Sequence, residues 1–213
     1  MSAVYNLTMP IFETKKRYAF IDAQNTASTT KKLLGFVIDW NKLHNYLMDK
    51  WKCDKVFLYS GIDEGDTETA KGFESLSEIG CIIKTRTVYS YKRPNKTVTV
   101  KCVNCGRENI KTVDMGYNRK SNCDVDLTVD AIEHAGPDAE FLVFTGDGDF
   151  DYLIQKVVEK ETKVFVVASN AGINKNGINT KRLSIRIKRL VNQYEQGRIN
   201  LIDINSWKMK IQK

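Results

Sequence analysis

The chain has 213 residues, with 33 Lys and Arg against 26 Asp and Glu, for a formal net charge of +7. Its 42% hydrophobic and 28% charged content, with 3 prolines and 13 glycines, excludes wholesale disorder and linker-rich or low-complexity classes. The length suits one α/β core, a single domain over 1–213, and no run approaches the roughly 18 apolar residues of a membrane span.

Six short apolar runs read as strands, separated by stretches of helical period. The first is Arg17–Asp22 (RYAFID), followed by a long helix from about Thr29 to Lys50 marked by Leu33, Leu34, Val37, Trp40, Leu43 and Leu47. Lys55–Ser60 (KVFLYS) and a helix over Ala70–Ile79 come next, then a strand over Cys81–Tyr91. Residues 92–119 break the rhythm and read as an insertion, with Thr97–Lys101 and Asn109–Val113 as the arms of a hairpin and CVNCG at its tip. A helix over Asp124–His134 follows. Then come the strand Glu140–Gly146, a helix carrying Phe150, Leu153, Ile154, Val157 and Val158, and the strand Lys163–Ser169. Leu183, Ile187, Leu190, Val191 and Tyr194 mark a last helix before the strand Ile199–Asp203. Most runs are continuously apolar, as in parallel strands covered on both faces, so the expected fold is α/β with an open, doubly wound, mostly parallel sheet.

The charge is unevenly distributed along these elements. Residues 84–120 hold 10 basic and 2 acidic side chains, residues 121–174 hold 3 and 11, and residues 175–213 hold 10 and 2. Doubly wound sheets bind ligands at the carboxyl ends of their strands. Asp22 and Asn25 follow the first run, and Asp147 and Asp149 follow the fourth in TGDGDF. Asp124, Asp126 and, further on, Asp130 open the helix after the insertion. Clustered carboxylates raise one another's pKa unless a cation offsets them, and Mg²⁺ or Mn²⁺ prefers such oxygen ligands. A site of this kind can polarise a phosphodiester and activate water without a histidine. His44 and His134 are the only histidines, and no Walker A, GxGxxG or GxSxG pattern is present. Taken singly, each Asp also suits a helix cap or a turn.

FIDAQN, KSNCDVDLTVDAI and FTGDGDFDYLI, in that order, resemble the NYN family, a branch of the PIN-like nuclease superfamily that includes LabA-like proteins. The terminal KRLSIRIKRLV and INLIDINSW look like the family's closing helix and edge strand. The resemblance implies a flavodoxin-like α/β fold and a divalent-metal-dependent endoribonuclease. It places the acidic catalytic and metal-binding positions on Asp22, Asp124, Asp147 and Asp149, with Asn25 as the accompanying polar residue. A non-catalytic RNA-binding or adaptor module, or a small-molecule nucleotide phosphohydrolase, is the alternative on the same sheet.

The strip before and within the insertion carries Arg86, Lys92 and Arg93, with Tyr91 interleaved. Cations that neutralise phosphates and rings that stack on bases suit single-stranded or structured RNA, although a lysine-protected edge strand looks the same. Lys120, four residues before Asp124, is a further candidate for orienting a phosphate. The basic face of the helix after Leu183 reads as solvated surface. Cys102 and Cys105 resemble one knuckle of a zinc ribbon whose second CxxC is missing. A second chain supplying that pair would make a homodimer; the plain alternative is two reduced thiols. Five cysteines without a secretory signal point to a reducing, cytoplasmic setting.

Overall fold

A computed structural model describes residues 15–175, 178–194 and 197–213, with the side chains of 119–120 and 173–181 outside that description. In chain order the elements are β1 (Lys16–Asp22), α1 (Ala23–Lys32), α2 (Trp40–Asp49), β2 (Lys55–Ile62), α3 (Thr67–Glu78) and β3 (Ile82–Thr87). The excursion follows as β4 (Tyr89–Lys92), β5 (Lys96–Lys101), β6 (Glu108–Val113) and β7 (Tyr117–Lys120). Then come α4 (Asp124–His134), β8 (Ala139–Phe144), a 3₁₀ turn (Gly148–Phe150), α5 (Asp151–Glu159) and β9 (Lys163–Ala168). The chain closes with β10 (Gly172–Lys175), β11 (Ile178–Lys181), α6 (Ile185–Gln193), β12 (Ile199–Asp203), a second 3₁₀ turn (Ile204–Trp207) and α7 (Lys208–Ile211).

Six strands form one sheet in the order β12-β9-β8-β1-β2-β3, every pair parallel. The fold is thus the expected doubly wound α/β sheet. The chain order reverses between β1 and β8, which leaves a crevice beyond their carboxyl ends. The continuously apolar strands are explained by cover on both faces. On one face Tyr18, Phe20, Phe57 and Phe141 pack with Leu127, Ile154 and Ile187 of α4, α5 and α6. On the other, Ala19, Ile21, Leu58 and Leu142 pack with Leu43, Leu47, Leu76 and Ile211 of α2, α3 and α7. Successive residues of β1 alternate between the two cores, as the period of a strand requires. Truncating a fully buried member such as Leu127 to Ala would cost about 2–5 kcal/mol.

The long helix expected over Thr29–Lys50 is two helices. Gly35 adopts φ +70, a conformation open to glycine that ends α1, and the Asp39 carboxylate accepts from Lys42 N–H at 3.1 Å to start α2. The connecting residues depart from the expected stripe: Phe36 and Ile38 are buried in that core while Val37 is exposed, and Ile38 bridges Gln212 in antiparallel fashion. The expected strand Cys81–Tyr91 also divides. β3 pairs with β2 in the main sheet, while β4 pairs antiparallel with β7. Beyond that pair, β5 and β6 form their own antiparallel hairpin, Lys96 opposite Val113 and Lys101 opposite Glu108.

Candidate functional site at the carboxyl rim

Asp22 is the last residue of β1 and the N-cap of α1, where its Oδ1 accepts from Asn25 N–H at 3.0 Å. Asn25 reaches across the crevice: its Oδ1 accepts from Gly146 N–H at 3.0 Å in the loop after β8. Thr26 Oγ1 donates to the Phe144 carbonyl at 3.3 Å. The loops of the two central strands are therefore tied together at the point where the strand order reverses. Asn25 thus tethers the rim through its carbonyl oxygen.

The loop after β8 is held against α6 by backbone proximity. Ser184 N–H donates to the Gly146 carbonyl at 2.9 Å. A Cβ on Gly146 would stand 2.4 Å from the Arg182 carbonyl oxygen, and one on Gly148 would stand 2.3 Å from Ser184 Oγ. Both glycines are there because another chain segment occupies the space a side chain needs. Asp147 caps the 3₁₀ turn, its Oδ1 accepting from Asp149 N–H at 3.1 Å. Asp149 is exposed, and Arg186 Nη1 lies 3.8 Å from its Oδ1. The sequence reading left Arg186 on a solvated face. Nothing local in KRLSIRIKRL distinguishes it; packing of the α6 start against the glycine loop brings it to the rim.

Asp124 is the first residue of α4, beside the buried Cys123, whose Sγ donates to the Ser60 carbonyl at 3.3 Å. That contact seats the start of α4 against the end of β2 and removes Cys123 as a partner for the CVNCG cysteines. Burial, helped by the charges of Asp124 and Asp147, pushes Asp22 up to about 6. Burial, then Asp147 and Asp149, also raises Asp124. The four acidic residues thus share one electrostatic environment. Among the described residues, no three His, Cys, Asp or Glu side chains gather tightly enough to hold one ion between them.

The remaining acids behave differently. Asp126 forms a two-pronged pair with Arg86, at 2.8 Å and 2.7 Å, and the Arg86 bond holds its carboxyl below the usual range. Asp130 is buried below the rim, accepting from Tyr59 Oη at 2.6 Å and Lys84 Nζ at 2.7 Å. Beside Asn122 opens a groove of about 500 Å³ lined by Thr85, Arg86, Thr87, Tyr89 and Tyr91. Tyr89 and Tyr91 are about 60% exposed. Lys92 is exposed on β4, and Arg93 donates through Nε to Asn118 Oδ1. The side chain of Lys120 lies outside the described residues. Sequence reasoning missed Gly61, where a Cβ would meet Ser121 Oγ at 2.1 Å and Gln24 Nε2 at 2.6 Å. Only the fold brings α1, β2 and the α4 approach that close.

The sequence matches the NYN domain over residues 17–186. The chain belongs to the NYN domain family. LabA, the low amplitude and bright protein of Synechococcus elongatus, is 23% identical over 165 residues, covering 76% of this chain and 78% of its own. A solved structure of a Vibrio parahaemolyticus protein of unknown function superposes with a TM-score of 0.56 at 18% identity, covering 91% of this chain and 96% of its own. The likeness extends to the fold. The NYN match takes in β1, α4 and β8, the elements that carry Asp22, Asp124 and the Asp147 loop. Among the described residues, no helix of this NYN protein is long and apolar enough to cross a membrane.

Proposed function

We propose that this NYN protein is a divalent-metal-dependent endoribonuclease, with Asp22, Asp124, Asp147 and Asp149 as its catalytic carboxylates. The observation that carries the reading is the reversal of strand order between β1 and β8, tied across by Asn25 Oδ1 and Gly146 N–H, which brings the buried Asp22 near enough to Asp124 and Asp147, from separate parts of the chain, for their charges to raise its pKa. Charge gathered at that cost to stability suits a cation. The donors are all oxygen, which fits Mg²⁺ or Mn²⁺.

When bound, such an ion supplies Lewis-acid polarisation of a phosphodiester and lowers the pKa of a coordinated water. The chain's own residues do the rest. Asp22 and Asp147 hold the crevice from its two central strands, and the Asn25 tether to Gly146 keeps their spacing. Asp124 and Asp149 extend the acidic edge towards solvent. The start of α4 lies at the same rim with no side-chain cap, and its free N–H groups favour a phosphate there. The groove beside Asn122 offers Tyr89 and Tyr91 for base stacking and Arg86 for phosphates, with the exposed Lys92 next along β4. A cytoplasmic setting completes this reading.

Labelled RNA incubated with Mn²⁺, with and without chelator, tests the proposal. Wild type should cleave only with the metal. Asp147→Asn should fold, keep RNA affinity and lose cleavage. Full activity in purified Asp147→Asn protein would overturn the assignment.

A further inference from the structure

The tip of the β5–β6 hairpin is unused by the chemistry above. Every residue of β5 and β6 is exposed, and a lone two-stranded hairpin is marginally stable in water. It also shows apolar side chains to solvent: Val103 is 98% exposed, Ile110 77% and Val100 52%. Yet its tip has a defined backbone. Cys102 N–H donates to the Arg107 carbonyl at 2.8 Å, and Gly106 N–H to the Cys102 carbonyl at 2.9 Å. Gly106 takes φ +69 to make the turn. The backbone N–H groups of Cys105 and Asn104 bond to the Cys102 sulfur, and the Cys105 side chain lies within bonding distance of it. Two sulfurs brought together, with backbone N–H groups aimed at one of them, is the local geometry of a metal-binding knuckle.

Half of a four-ligand set is missing, and this chain cannot supply it from its softer donors. The other three cysteines, Cys53, Cys81 and Cys123, are buried in the main body. His44 is buried on the inner face of α2, and His134 sits against Tyr18 and Phe57 at the far end of α4. The sequence holds no other Cys or His.

We propose that the CVNCG tip is half of a structural zinc site, completed by the same tip of a second copy of this chain as a four-thiolate centre on a two-fold axis. The contact is isologous, so Cys102 and Cys105 of each copy contribute equally. The exposed Val103 beside the sulfurs is buried at the join. The metal then staples a hairpin that is otherwise unsupported. This inference is independent of the nuclease reading, because none of its residues lies at the acidic rim.

Reduced, full-length protein is stripped of metal and titrated with Zn²⁺ or Co²⁺ under nitrogen, while its mass is followed by light scattering. The expected result is one metal per two chains, a four-thiolate cobalt spectrum, and a shift from 24.3 kDa to the dimer mass only when metal is present. Cys102→Ser/Cys105→Ser should lose all three while keeping its far-ultraviolet dichroism. One metal per chain at the monomer mass, no uptake, or a dimer indifferent to metal and to the double variant would each overturn the proposal.

Discussion

Replacing Asp22 by Asn should stabilise the metal-free protein. Burial first, then Asp124 and Asp147, lifts this carboxyl from 3.8 to about 6, against the lowering effect of the Asn25 and Gln24 N–H groups. Between those values the folded chain holds a proton that the unfolded chain has released. Stability therefore falls as pH rises through the window, by about 3 kcal/mol in all. Asn removes the charge yet can still accept the Asn25 N–H bond, so the cap of α1 survives. For a chain of this size the gain corresponds to roughly 6–12 °C in melting temperature above neutral pH. Thermal melts in chelator should show Asp22→Asn above wild type at about pH 8, with the gap narrowing steadily towards about pH 4. Adding Mn²⁺ should close or reverse the gap, because wild type gains binding energy that the variant lacks. Equal melting temperatures at high pH, or a gap of the same size at both ends of the range, would refute the reasoning.

Other perturbations separate the rim from its supports. Gly146→Ala puts a methyl 2.4 Å from the Arg182 carbonyl and should cost about 1–3 kcal/mol, with a loss of cleavage larger than the loss of RNA affinity. Asp130→Asn weakens the buried bonds to Tyr59 and Lys84 and should lower stability by about 2–3 kcal/mol in denaturant titration, while the metal dependence of cleavage stays as in wild type. Tyr89→Ala/Tyr91→Ala should weaken binding of single-stranded RNA by about 1–3 kcal/mol per stacked base without changing the salt slope of affinity, whereas Lys92→Ala should reduce that slope.

Much of the fold is local chemistry. Continuously apolar runs such as FLVF and KVFVVA need cover on both faces, and a parallel sheet with helices on each side is what provides it. The bounds of α4 and β12 match the sequence reading residue for residue, because a helix period and a strand run are each set by neighbours in sequence. The helix break at Gly35 is a case where the local signal was present but the apolar spacing of Leu33, Leu34 and Val37 pointed past it; in the fold Phe36 and Ile38 are buried without being helical, and Val37 is exposed. The acidic residues were also visible, as Asp, Asn and Gly at the ends of apolar runs.

Which acid does what was decided only by tertiary structure. Asp126 and Asp130 share a helix and a sequence motif with Asp124, yet Arg86 takes one, while Tyr59 and Lys84 take the other. Those partners come from β2 and β3, strands distant in sequence, so no spacing rule could have assigned them. The raised pKa of Asp22 has the same origin. It exists because the strand order reverses between β1 and β8 and brings charges from three chain segments to one crevice. Arg186 reaches Asp149 for the same reason, through a helix folded back onto the glycine loop. The sequence by itself determined the elements and the supply of carboxylates. Only the fold decided which of them stay unpaired, because pairing depends on distances that chain order does not encode.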